Sequence, residues 1–504
     1  MTDATEWPMP DTYPDPEAAD HVTYNPSLEA LREFSAPLET TTEYGSPAYT
    51  SEYRSRSADR TANAVDDSFD GADLSVFEAG VDWVSDPDND VVCVDRVVGR
   101  HPDASHVCRL YLPKEYGRIA LAWAKLLEPS DGGEPDFVTV QLPDAREEPV
   151  IRVLPDAGLT TVLGSDYTGE AKKSFLRLFM LRAKQRGGLG LHAGSKRVTL
   201  DDGDGRREVG QLFLGLSGTG KSTLTSHGLR LDDPEGVEMI QDDVCALLPS
   251  GTVAGSEGGG LYIKTIGLEA DEQPQLHGAA TDGSAVLENV AVDDDGTVHF
   301  DEPRHGRNAR AVVRREVLAS ASDDVDLPDV DQVFFITRNP LMPPIARLDS
   351  EQAAVAFMLG ESVETSAGDP SRAGEAIRVV GTNPFIVGSE GAEGNRFRDL
   401  IAELDVECYV INTGVVGTDD PLDVGVEETV AILEGVARGS IEWETDPALG
   451  LTVPTDVPGI DVDAYDVPDR VDDFESARAA LREERLAYLD RFDDLDEAIL
   501  DAAY

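Results

Sequence analysis

GLSGTGKS at Gly215–Ser222 is the stretch that decides the fold. It fits the phosphate-loop pattern GxxxxGK[ST] at every position, with Gly215, Leu216, Ser217, Gly218, Thr219 and Gly220 forming the turn and Lys221 and Ser222 closing it. Glycine lets the backbone curl until successive amide N–H groups face phosphate oxygens. Lys221 then reaches the β and γ phosphates, and the Ser222 hydroxyl takes a divalent metal. The flanks agree. REVGQLFL at 207–214 reads as a strand and TLTSHGL at 223–229 as the start of a helix. The pattern and its context predict an enzyme that uses a nucleoside triphosphate.

Downstream, GVEMIQDD at 236–243 is a short apolar strand ending in Asp242 and Asp243. These carboxylates either hold the Mg²⁺ of the nucleotide or face solvent at a strand end. GLYIKTI, AVLENVAV, QVFFITR and ECYVINTG supply further strands, and EQAAVAFMLGE, EGNRFRDLIAEL and residues 473–492 supply helices. Upstream, 90–98, FVTVQLP and EPVIRVLPD are strand-like, while 113–127 and 169–182 repeat apolar residues at helical spacing. The expected fold is α/β. A loosely ordered acidic arm at 1–40, with one short helix at SLEALREF, precedes an N-terminal α/β domain at 41–190. A C-terminal mononucleotide-binding domain at 191–504 carries the loop.

A third cluster is YTGEAKK at 167–173, followed by His192. Only eight lysines occur in the chain, and Lys172, Lys173, Lys221 and Lys264 are four of them. A lysine kept where arginine is otherwise preferred marks a place for a compact ammonium or a neutral amine. The competing reading makes Lys172 and Lys173 a solvated helix face and His192 a structural histidine. Arg304, Arg307, Arg310, Arg314 and Arg315 crowd one segment. The fork of guanidinium donors suits phosphate and carboxylate, and surface acids compete for the same arginines.

Composition narrows the partners. The chain has 504 residues, 98 acidic against 42 basic, for a net charge of -56. Such a charge opposes compaction at low salt, and the acids are spread through ordinary apolar periodicity. Adaptation to molar salt, as in a halophilic archaeon, explains this better than an acidic binding function. No arginine stripe stands clear of the acids, so nucleic acid and anionic membrane are not expected partners. Cys93, Cys108, Cys245 and Cys408 form no CxxC and read as buried thiols. The first residues carry neither a basic nor an apolar stretch, and no apolar run approaches the roughly 20 residues of a span. A soluble, cytoplasmic, monomeric protein is expected.

At YTGEAKKS, GLSGTGKST, EGGGLYIKTI, VLENV, PPIARLDSEQ, INTGVVG and VPTDVPGID the chain resembles the ATP-dependent phosphoenolpyruvate carboxykinases, in order and spacing, from about residue 50 onward. The resemblance implies two lobes around a deep cleft. It implies decarboxylation of oxaloacetate, with transfer of the γ-phosphoryl group of ATP to the resulting enolate, in gluconeogenesis. Mn²⁺ then falls on Lys173 as a neutral amine, His192 and Asp243, and the phosphate-loop hydroxyl on Ser222. Arg56, Tyr167 and Arg310 fall on the substrate, and Lys264 with Lys221 on phosphate. The family's RSPKDK reads RSADRT here, HCSANVG reads HAGSKRV, GDDEHGW reads QDDVCAL, ENTR reads RNAR, and the adenine-side segment reads GDPSRAGEAIR. A phosphotransferase for another small acid or a protein, and a catalytically silent nucleotide-binding homologue, are the alternatives.

The charge yields a test. Lowering KCl from molar to about 0.1 M lengthens the Debye screening distance from about 3 to about 10 Å. Activity and the unfolding midpoint are expected to fall together over that range. An unchanged midpoint would remove the salt-adapted reading.

Overall fold

A computed structural model of the chain describes residues 7–53, 58–201, 203, 205–216, 218–271, 273–363 and 376–504. Two compact units emerge: residues up to Arg182 with Ser256–Ala319, and Ala183–Gly255 with Ser320–Tyr504. They are not the contiguous stretches 41–190 and 191–504. Strand pairing is the reason. Gly260–Lys264, Arg310–Arg314 and Val286–Glu288 lie in one sheet with Pro47–Tyr49 and Thr40–Thr41, so the segment carrying Lys264 and Arg310 is stitched into the N-terminal unit.

The expected loose arm needs correction too. Val22–Tyr24 pairs in parallel with Val91–Cys93. Leu28–Phe34 is the short helix read at SLEALREF, capped by Ser27, whose Oγ accepts from the Ala30 amide at 3.2 Å. Leu31 is fully buried beneath it. Tyr13 stacks on Tyr111 at 5.6 Å, and the Tyr24 hydroxyl donates to Asp95 Oδ2 at 2.8 Å. A few apolar and aromatic anchors among many prolines and acids tie the segment down, and a short run of this kind carries no periodic signal. The rest of this unit's larger sheet includes Val91–Val98, His106–Pro113, Phe137–Leu142 and Leu159–Leu163, followed by the helix Thr168–Gln185.

In the other unit an eight-stranded sheet runs in the order Gly236–Gln241, Ala193–Asp201, Arg206–Leu214, Gln332–Thr337, Glu407–Asn412, Ile345–Leu348, Leu451–Asp456, Glu442–Asp446. Arg206–Leu214, Gln332–Thr337 and Glu407–Asn412 are mutually parallel. Alternation of side chains gives this core two faces. Phe213, Phe334 and Tyr409 stack on one face at 5.1 and 5.3 Å; Phe335, Phe357 and Phe397 meet on the other at 5.7 and 4.6 Å. The four cysteines are free and buried. Among the described residues no helix is long and apolar enough to cross a membrane.

Beneath the helix Lys221–Ser226, the strand Ala193–Asp201 places Gly194 and Lys196 on one face. A Cβ at Gly194 would lie 2.3 Å from Thr225 Oγ1, so only glycine lets the helix sit this close. Lys196 is fully buried. Its Nζ donates to the Leu224 carbonyl at 2.8 Å and lies 4.8 Å from the Phe213 ring centroid. Burial pushes its pKa down to about 7. The unfolded chain keeps this proton up to the ordinary lysine value, so the cost of burial is full below pH 7 and fades as pH rises towards 10.5. Lys196→Met is therefore expected to raise unfolding stability over the parent at pH 7, by at most ~5 kcal/mol, and the gap should close by pH 10. Denaturant melts of both proteins in molar KCl, across that range, check it.

Candidate functional site

Residues 215–222 leave the strand Arg206–Leu214 and enter the helix Lys221–Ser226. Two positive φ values, 88° at Gly218 and 101° at Gly220, form the turn. The Thr219 amide and Oγ1 both donate to the Leu216 carbonyl, at 3.2 and 2.8 Å. Gly215 is needed because a Cβ there would stand 2.6 Å from Thr219 Oγ1. The loop opens at the carboxyl edge of the parallel strands, where ligands of open α/β sheets bind. Ser217 lies outside the described residues, as does Arg56.

Strand register brings His192 and Asp243 together. Ser195 pairs with Gln241 and Leu191 with Cys245, both antiparallel, and these pairs bracket the two residues. His192 Nε2 lies 3.0 Å from Asp243 Oδ1. Lys221 Nζ lies 3.2 Å from that nitrogen and 3.5 Å from that oxygen. On the other side of the ring, Nδ1 is 2.7 Å from the Thr382 carbonyl, which fixes the tautomer: Nδ1–H donates and Nε2 keeps its lone pair. Burial pushes the imidazole pKa down and the Lys221 ammonium pushes the same way, against Asp243. A neutral imidazole is the result. Two acceptors, Nε2 and a carboxylate oxygen, thus face each other with a cation beside both. That donor set fits a divalent ion, for which the Lys221 ammonium stands in here. Asp242 is adjacent in sequence and half-buried.

The N-terminal unit gathers a second set. Tyr167 is buried, and its hydroxyl accepts from Asn308 Nδ2 at 2.9 Å. Lys173 Nζ lies 5.0 Å from the Tyr167 ring centroid and 3.7 Å from Glu170. Lys172 pairs with buried Glu257 at 3.0 Å and lies 5.4 Å from the Tyr262 ring. Neither lysine is a solvated helix face. Lys264 and Arg310 are direct partners in antiparallel register, and Arg310 pairs on its other side with Glu288. Two cations opposite each other cost a sheet stability and suit an anionic ligand. The other arginines sort themselves: Arg304 pairs with Asp293 and Glu302, Arg307 is exposed, Arg314 pairs with Glu316, and Arg315 is buried.

Residue-by-residue reading of the sequence missed the supports. Glu288 Oε1 accepts from the Thr168 amide at 2.9 Å and from Arg118 at 3.4 Å, and its Oε2 accepts from the Tyr262 hydroxyl at 2.5 Å. Asp166 accepts from the amides of Glu52 and Tyr53 and from Arg118. The Asn289 side chain accepts from the Ser51 amide at 2.9 Å. The VLENV run, in which Asn289 has a φ of 59°, carried the only local signal for two of these.

A family model described as phosphoenolpyruvate carboxykinase matches residues 74–463. The chain is similar to the phosphoenolpyruvate carboxykinase (ATP) of Aeropyrum pernix, with 37% identity over 453 residues, 88% of this chain and 89% of that protein. It is 29% identical over 347 residues to the protein of the same name from Bradyrhizobium diazoefficiens, and 30% identical over 348 residues to that of Chelativorans sp.. Each of those two matches covers 65% of this chain and 61% of the relative.

Proposed function

The chain belongs to the phosphoenolpyruvate carboxykinase (ATP) family, and from that premise we propose that it converts oxaloacetate and ATP to phosphoenolpyruvate, ADP and CO₂. The observation that supports this most is the convergence of Lys221 Nζ, His192 Nε2 and Asp243 Oδ1 beside the phosphate loop. The enzyme works as a monomer in the cytoplasm of a salt-adapted cell.

The reaction breaks the bond from C3 of oxaloacetate to the departing carboxylate, and its electron pair becomes the enolate of pyruvate. The enolate oxygen then bonds to the γ-phosphorus as the bond to the ADP oxygen breaks. Arg56 and Tyr167 hold oxaloacetate. The phosphate-loop amides, Lys221 and Lys264 hold the triphosphate, and Arg310 bridges to the substrate, so charge neutralisation and alignment carry the transfer. Mn²⁺ on Lys173, His192 and Asp243, and Mg²⁺ on Ser222 with Asp242, would supply Lewis-acid charge when bound. Thr382 keeps Nε2 of His192 available by holding the proton on Nδ1. Lys173 must be a neutral amine to act as a ligand.

Assays of phosphoenolpyruvate formation from oxaloacetate and ATP, and of its reversal with bicarbonate, separate this reading from the others. Phosphoryl transfer to another acid or a protein without oxaloacetate, or nucleotide binding without turnover, would displace it. Lys221→Ala is expected to lower turnover by orders of magnitude in a folded protein, whereas Ser222→Ala weakens mainly Mg²⁺-nucleotide binding.

Lys173→Arg keeps the charge but cannot become neutral. It is expected to lose Mn²⁺ binding and turnover almost as fully as Lys173→Ala, while Lys172→Arg, which disturbs the buried ion pair with Glu257 and removes no ligand, keeps Mn²⁺ binding. Titration of Mn²⁺ in molar KCl reads this directly. Binding like the parent, with turnover within about threefold, would take Lys173 out of the ligand set.

A further inference from the structure

INTG at 411–414 is not used by the chemistry above, yet it touches the phosphate loop. Thr413 follows the strand Glu407–Asn412, and its Oγ1 donates to the Thr219 carbonyl at 2.8 Å. Its backbone is held firmly. The Thr413 amide donates to the Thr337 carbonyl at 3.0 Å. The fully buried Asn412 side chain donates to the carbonyls of Asn339, Met342 and Val415, each at 3.0 Å, and accepts from the Gly414 amide at 3.0 Å. Gly414 packs on Arg338, where a Cβ would meet Arg338 Cβ at 3.0 Å. A β-branched threonine has few χ1 states, so this hydroxyl is delivered to one place.

The Thr219 end is equally constrained. Its side chain and amide are committed to the Leu216 carbonyl. The remaining freedom is rotation of the Thr219–Gly220 peptide plane, next to a glycine with a φ of 101°. Glycine resists such a rotation less than any other residue. A trans peptide is planar, with its C=O and N–H pointing in opposite directions. Holding the Thr219 carbonyl towards Thr413 therefore aims the Gly220 N–H the other way. That amide belongs to the run of donors by which a phosphate loop binds its anion.

We propose that Thr413 is a positioning residue that locks the Thr219–Gly220 peptide plane and thereby sets the affinity of the loop for a nucleoside polyphosphate. The sequence brings the two residues together only through the fold, since they are 194 positions apart. Thr413 touches no phosphate; it acts through the Thr219 carbonyl. This inference rests on reading 215–222 as the phosphate site.

The test compares Thr413→Val, Thr413→Ala and Thr413→Ser with the parent and with Lys221→Ala, in molar KCl. MgADP binding is measured by calorimetry, KM for ATP and for oxaloacetate by assay, and folding by thermal melting. The two variants without a hydroxyl are expected to bind MgADP about tenfold more weakly. Their KM for ATP should rise, with KM for oxaloacetate and the melting temperature near the parent's. Thr413→Ser should stay within about twofold of the parent, because it restores the donor without the methyl group. If Val and Ala both bind MgADP like the parent while Lys221→Ala does not, the positioning role is wrong. The same holds if Ser is as weak as Val and Ala, since packing of the methyl group would then be the cause. If Lys221→Ala binds like the parent, the loop is not the phosphate site, and the function reading fails together with this one.

Discussion

Parallel pairing of three strands is the constraint on which the nucleotide-binding unit depends. Arg206–Leu214, Gln332–Thr337 and Glu407–Asn412 run in one direction, so their chains leave the sheet at one edge. Each exit opens into a turn of its own. The phosphate loop follows Leu214, Arg338 and Asn339 follow Thr337, and Thr413 with Gly414 follows Asn412. Antiparallel register on the other side, through Ala193–Asp201 and Gly236–Gln241, adds His192 and Asp243. Hydrogen-bond register fixes these positions before any side chain is considered, and apolar stacking of Phe213, Phe334 and Tyr409 then makes the register costly to shift.

Lysine usage acquires a physical meaning once partners are known. In a chain with eight lysines and net charge -56, solvent-facing cations are almost entirely arginine. Lys172 meets Glu257, Lys184 meets Glu393, Lys125 donates to the Ser284 carbonyl, and Lys196 to that of Leu224. Lys221 stands between His192 and Asp243. An ammonium is compact and can donate in three directions, which a buried polar pocket can use and a guanidinium plane cannot always enter. Rarity on the surface made the internal lysines conspicuous in the sequence.

Legibility followed the range of the interaction. The phosphate loop, the strand before it, and the helices Thr168–Gln185 and Ser350–Leu359 were readable because glycine placement and apolar period are local. Leu28–Phe34 was readable too, although the pairing that anchors its neighbourhood was not. Contacts between distant positions left no trace: Thr382 on His192 spans 190 residues, and Asn289 on Ser51 spans 238. Unit boundaries were hidden for the same reason, since a sheet can enlist a strand from anywhere in the chain. The assignment of ligands by type came from a family likeness and not from spacing.

The pairing of Lys264 with Arg310 across two strands has a consequence outside catalysis. Like charges in direct register disfavour a strand pair, and Glu288 stands in register with Arg310 on the neighbouring strand. An anion bound between the two cations would relieve this, and whatever binds only the folded form also stabilises it. Occupancy and durability are thereby linked in this unit. An anion held there would make this unit harder to unfold than the empty one.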